Sequence, residues 1–158
     1  MDYKKVIRLI LTAPLFAGQL LVLIIHALWG AELKYVDDYV LTTTLKPDSW
    51  PMRSWFKNWG GLTMGFAVML APNMAPRVMI HELRHVKQLE VSSICGLICG
   101  MITWLFTWKL AGVLLMLGSW FLSPIMFYIC AGIVALLYGQ KYYENNIFEE
   151  DAENAEDR

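Results

Sequence analysis

Residues 91–138 read VSSICGLICGMITWLFTWKLAGVLLMLGSWFLSPIMFYICAGIVALLY, a run of 48 residues whose only formal charge is Lys109. As one helix at about 1.5 Å per residue, it would be roughly twice as long as the hydrocarbon core of a bilayer, so it must fold back or leave the membrane. Trp108-Lys109 marks the turn. The first limb, Ser92 to Thr107, is short, which allows a tilted or re-entrant course. The second, Leu110 to Tyr138, is overlong and contains Pro124, where a kink is expected.

Upstream, Leu9 to Ala31 is an uncharged run of 23 residues preceded by Lys4, Lys5 and Arg8. It exceeds the roughly 7–15 residues of a secretory h-region and approaches the roughly 20 needed to span a bilayer, which makes an uncleaved anchor over Leu9–Trp29 the better reading. Composition agrees: 57% of the 158 residues are hydrophobic and 17% charged, a shift toward lipid as part of the solvent. A net charge of −1 offers no basic face for nucleic acid, so that class is set aside. Cys95, Cys99 and Cys130 lie in apolar stretches with no CxxC pair, which favours packing over a disulfide framework or a zinc knuckle.

Between anchor and hairpin, Glu32–Asn58 is mixed and polar, with turn chemistry at Lys46-Pro47-Asp48-Ser49 and tryptophans at 50, 55 and 59. It reads as interfacial structure rather than a buried core. Glycines and prolines break the stretch from Asn58 to Pro76 too often for a spanning helix, and Leu62–Leu70 reads as a strand or extended segment. Helical patterning begins at Val78 and runs through Glu90. The chain from Gly139 onward is polar and ends in an acidic tail.

The chemistry gathers at His81-Glu82-Leu83-Arg84-His85. Histidines four residues apart project from one face of a helix and can grip one ion. In such an HExxH arrangement the histidines hold zinc and the glutamate acts as general base on water. Three fixed positions in five make chance matches common, but two of the chain's three histidines fall here. A catalytic site also needs a third protein ligand. His26, inside the first apolar run, is a candidate as an intramembrane ionisable residue. The run Tyr143–Glu153 supplies several glutamates, which suit the role better; spacing alone does not choose among them, and a solvated acidic tail is the competing reading.

His81–Gln88, followed downstream by Asn146-Ile147-Phe148-Glu149-Glu150-Asp151-Ala152, resembles compact bacterial gluzincin metallopeptidases, which carry an HExxHxxQ helix and a later N-P-F-E-x-x-A segment. The resemblance implies that Glu149 is the third zinc ligand, that Glu153, four positions on, orients a ligating histidine, and that an extended segment precedes the motif helix. Ile147 departs from the pattern, where proline is usual. Tyr142 or Tyr143 is a candidate phenol donor to a developing oxyanion, with Tyr143 the preferred catalytic partner of Glu82; aromatic anchoring at the membrane surface is the ordinary alternative.

His81, His85 and Glu149 can meet only if an even number of crossings separates them, and the hairpin supplies two. The expected fold is therefore mainly α. It is a single membrane-embedded domain over 1–158, with apolar spans 9–29, 92–107 and 110–138 and interfacial parts at 32–90 and 139–158. The expected function is a zinc-dependent membrane peptidase in a bacterial inner membrane, with the bilayer and a protein or peptide substrate as partners. Lys4, Lys5 and Arg8 slightly favour an external or periplasmic site. A non-enzymatic small membrane protein, metal-binding or accessory to a mobile element, is the alternative.

Overall fold

The computed structural model describes residues 3–36, 39–54, 56–57, 59–74, 76–107, 110–137 and 146–156. In chain order its elements are α1 (Tyr3–Leu11), a 3-10 turn (Ala13–Phe16), α2 (Ala17–Trp29), β1 (Gly30–Val36), β2 (Val40–Leu45) and α3 (Trp50–Arg53). There follow β3 (Gly61–Met64), β4 (Ala67–Leu70), α4 (Pro76–Thr107), α5 (Leu110–Leu137) and α6 (Ile147–Glu156). The chain is mainly helical, and its contacts fall into two compact units.

One unit comprises Phe16–Val86 and Asp151–Arg158. Its sheet has the order β1-β2-β4-β3, with β1/β2 and β3/β4 antiparallel and β2/β4 parallel. Val40-Leu-Thr-Thr-Thr-Leu45 is rich in β-branched residues, which fit a pleated surface. The Thr42 and Thr43 hydroxyls stay satisfied although buried, donating to the carbonyls of Lys34 and Glu32 at 3.1 Å each. Leu41 and Leu45 join Phe56, Ala67, Met69 and Ala71 in a core that Val22 of α2 completes. The stretch 32–58 thus does contribute to a buried core, contrary to expectation: the threonines disguise a central strand, and Phe56 is fully buried. The extended segment 62–70 is a hairpin turned at Gly65 and Phe66 rather than one strand.

The other unit comprises Met1–Leu15 and Lys87–Glu150. Here α4 packs against α5 with little room between backbones. A Cβ on Gly96 would fall 2.1 Å from Ser123 Oγ, and one on Gly100 would fall 2.7 Å from Met116 Cα. Small residues four apart let helices approach closely in an apolar setting. Trp120 Nε1 donates to the Leu11 carbonyl at 2.8 Å, and the Arg8 guanidinium pairs with the buried Glu90 carboxylate, Nε to Oε1 at 2.9 Å, which ties α1 to the hairpin.

The motif and the first apolar limb form one unbroken helix: α4 has 32 residues, and nothing at Glu90-Val91-Ser92 interrupts it. Among the described residues it is the one helix that is long and apolar enough by itself to cross a membrane. Two more candidates exist only if bent pairs count as single spans. The anchor expected over 9–29 is broken at Thr12: Pro14, expected to be tolerable near its start, lacks an N–H and disfavours helix at the residue before it. In α5 the axis bends by 49° between Leu110–Met126 and Tyr128–Val134, just past Pro124. The expected turn at Trp108-Lys109 lies outside the described residues.

Candidate metal centre

His81 and His85 occupy one face of α4, and their Nε2 atoms approach to 3.0 Å with the rings nearly perpendicular at 81°. Between them in sequence, Glu82 turns toward the sheet and is buried at 6% exposure. The Thr63 hydroxyl on β3 shares its proton between the Glu82 carboxylate, Oε2 at 2.6 Å, and the Glu82 carbonyl at 2.9 Å. The same strand presses its backbone on that side chain: a Cβ on Gly61 would lie 2.6 Å from both Cγ and Oε1 of Glu82. Only glycine leaves the carboxylate where it is.

Residue 149 is placed by the start of α6. Asn146 is fully buried; its Oδ1 accepts from the Phe148 N–H at 3.0 Å, and its carbonyl accepts from the N–H groups of Glu149 and Glu150. These are the bonds of an N-cap, so the helix begins on asparagine without the proline that Ile147 replaces. Glu149 then sits in the first turn, where the unsatisfied N–H groups of the helix favour negative charge. It is buried at 3%, and its Oε1 accepts a hydrogen bond from Tyr128 OH on α5 at 2.7 Å. Asn146 Nδ2 donates to the Tyr128 carbonyl at 3.3 Å, and the Tyr128 ring lies 6.1 Å from that of Phe148. Tyr128 thus touches cap, flank and carboxylate together.

Each unit separately ties α4 to α6. Gln88 Nε2 donates to the Phe148 carbonyl at 2.9 Å, which gives the glutamine three residues beyond His85 a structural task. Arg84 forms a two-pronged pair with Asp151, Nε to Oδ2 and Nη2 to Oδ1 at 2.7 Å each. On this helix pair His81, His85 and Glu149 offer donor atoms that all lie within 4.8 Å of one another.

Two imidazoles and a carboxylate form a common donor set for a catalytic zinc, with a fourth position left to water or substrate. Zinc–nitrogen bonds of about 2.0–2.1 Å at a tetrahedral angle put the two nitrogens about 3.3 Å apart, near the observed 3.0 Å. The donor types and their spacing are therefore compatible with a bound metal ion. No family model, curated protein or solved structure matches the chain.

Two other predicted residues are not among the donor atoms of this group. Glu153 is exposed on α6, and His26 Nδ1 lies 2.8 Å from Thr43 Oγ1 at the sheet. Tyr142 and Tyr143 lie outside the described residues. Tyr128, Thr63 and Asn146 were not singled out from the sequence. Asn146 could have been, as a cap residue ahead of two acidic positions; Tyr128 carried only the faint signal of a phenol in an otherwise apolar helix.

Proposed function

We propose that this chain is a membrane-anchored, zinc-dependent peptidase of gluzincin type. The observation that carries this reading is the convergence of His81, His85 and Glu149 within 4.8 Å, with the buried Glu82 between the two histidines in sequence. His81, His85 and Glu149 hold the ion. Zinc in such a site supplies Lewis acidity toward a peptide carbonyl and toward water.

Glu82 performs the proton transfers. Thr63 donates to Oε2 and so steadies the plane of the carboxylate, which takes up the proton of the attacking water. From there the proton passes to the departing amide nitrogen as the C–N bond breaks. Burial beneath β3 keeps the carboxylate in one rotamer, which is the preorganisation that a general base needs. Tyr128 holds Glu149, and Gln88 and Asn146 hold the helix start that carries it.

Three crossings of a bacterial inner membrane, by the bent α1–α2 pair, the apolar part of α4, and α5, complete the proposal; the site faces the external side. The test is a pair of measurements on purified protein. Wild type binds one zinc per chain and cleaves peptide bonds, and Glu82→Gln keeps the zinc while losing cleavage. Full cleavage by Glu82→Gln removes Glu82 from the mechanism, and a wild type without stoichiometric zinc removes the reading altogether.

A further inference from the structure

We infer that the outer edge of β1 is a docking edge for a second copy of this chain, and that two copies pair antiparallel about Leu33 to join their sheets into one. The inference stands apart from the peptidase reading and concerns only the unit that carries the sheet.

In the order β1-β2-β4-β3 the strand β1 lies at an edge, so one row of its backbone groups has no neighbouring strand among the described residues. Which row this is follows from the threonines of β2. The carbonyls of Glu32 and Lys34 accept from the Thr43 and Thr42 hydroxyls and therefore face β2. Successive residues of a strand turn their N–H and C=O groups to opposite sides, which leaves those of Leu33 and Tyr35 directed away from the sheet. Such a row is a ready template for another strand. Both faces of the strand are open as well: every residue from Ala31 to Tyr35 is exposed, Leu33 at 38% and Tyr35 at 62%.

The charges choose the occupant and the register. Hydrogen bonding across the new boundary requires outward residues to meet outward residues, so the close pairings of β1 with its own copy are those centred on Glu32, Leu33 or Lys34. A pairing centred on Glu32 sets two glutamates face to face, and one centred on Lys34 sets two lysines face to face. Centred on Leu33, Glu32 of each chain meets Lys34 of the other. Opposite charges directly across stabilise a strand pair and like charges destabilise it. These positions are also the ones without mutual hydrogen bonds, where opposed side chains come closest. Glu32 and Lys34 share one face of β1, as their own contact at 3.7 Å shows, so both ion pairs form on one side. On the other side the two Leu33 side chains meet, with Tyr35 in diagonal reach. A lysine on an edge strand ordinarily deters pairing; for this partner in this register Glu32 answers it.

The regular part of the edge is short, because a bulge between Gly30 and Glu32 ends the even alternation. Leu33 and both charges lie past the bulge, on the stretch from Glu32 to Val36 that stays in register with β2. The pairing uses the edge away from the motif: β3, whose Gly61 and Thr63 touch Glu82, lies at the opposite edge of the sheet.

The experiment uses full-length protein carrying Cys95→Ala, Cys99→Ala and Cys130→Ala, reconstituted in liposomes. A Glu32→Cys chain and a Lys34→Cys chain, mixed under a mild oxidant, should form a disulfide-linked dimer, because facing residues of this kind stand about 4.5 Å apart at Cα, within bridging range. Either chain alone should link roughly ten-fold more slowly, since like positions are then two residues out of register and about 7–8 Å apart. Equal linking in the single-variant samples, or none in the mixture, overturns the inference. Donor and acceptor dyes on Glu150→Cys then report association without a bond at β1. Energy transfer should show wild type associating, Glu32→Lys and Lys34→Glu each associating roughly ten-fold more weakly, and an equimolar mixture of those two variants recovering. A wild type without transfer, an association indifferent to both substitutions, or a mixture no stronger than either variant alone overturns the inference. Neither readout uses zinc or cleavage, so failure here leaves the peptidase reading standing, and failure of that reading leaves this one.

Discussion

Replacing Tyr128 by phenylalanine removes one hydroxyl and leaves the rest of its contacts. The ring still lies against Phe148, and the backbone carbonyl still accepts from Asn146. What disappears is a 2.7 Å hydrogen bond to the Glu149 carboxylate. Hydrogen bonds to charged groups contribute about 1.5–3 kcal/mol, which would be about 10- to 150-fold in zinc affinity if the whole amount were expressed in binding. It is not all expressed there, because the bond already exists without the ion and part of its loss weakens the docking of α6. The expected loss is therefore about ten-fold, at the lower end of the 10- to 100-fold range for groups that orient metal ligands. Chelator competition followed by a zinc-sensitive dye measures it, with thermal unfolding in detergent reporting the structural share. Tyr142→Phe and Tyr143→Phe are the controls and should leave zinc affinity unchanged. An unchanged affinity in Tyr128→Phe would refute the claim that α5 positions the third ligand.

Other perturbations separate the parts of the site. Gly61→Ala should push the Glu82 side chain from its place and lower peptidase turnover at least ten-fold at unchanged zinc content; retention of turnover would show that the close approach of β3 has no bearing on the base. Thr63→Val should act in the same direction more weakly, read as kcat at saturating substrate. Arg84→Ala, breaking a pair that is about 40% exposed on each side, should cost only about 0.5–1 kcal/mol of stability, and a double-mutant cycle with Asp151→Ala would check it. Gly96→Leu should separate α4 from α5 and lower the melting temperature in detergent, whereas Leu97→Ala should have a smaller effect.

The sequence made the helical motif and the apolar hairpin legible, because a four-residue histidine spacing and a long uncharged run are signals that tertiary context seldom overrides. Glu149 was legible only through resemblance: several acidic residues compete in the same tail, and what distinguishes this one is a tyrosine on a helix distant in sequence. The sheet was the largest omission. Its central strand β2 offers three threonines where an apolar run is the usual signal for burial; it pairs antiparallel with the preceding β1, whose residues are mostly exposed, while its other partner β4 is parallel and distant in sequence. The break at Thr12 was present in the residues as Pro14, but a proline near the start of a helix is tolerated, and the position of that start is not legible from hydropathy over Leu9–Trp29. Gly96 and Gly100 carried the small-residue spacing of close helix packing, readable before the structure though not used.

The central claim is that three side chains, two from α4 and one from α6, hold one metal ion. Metal content of purified protein, measured by mass spectrometry in wild type and in the variants His81→Ala, His85→Ala, Glu149→Ala and Glu150→Ala, tests it directly. The expected result is one zinc per chain in wild type and in Glu150→Ala, and after dialysis against a mild chelator well under a tenth of that in the other three. Zinc retained in Glu149→Ala at the wild-type level, or absent from wild type, would contradict the account.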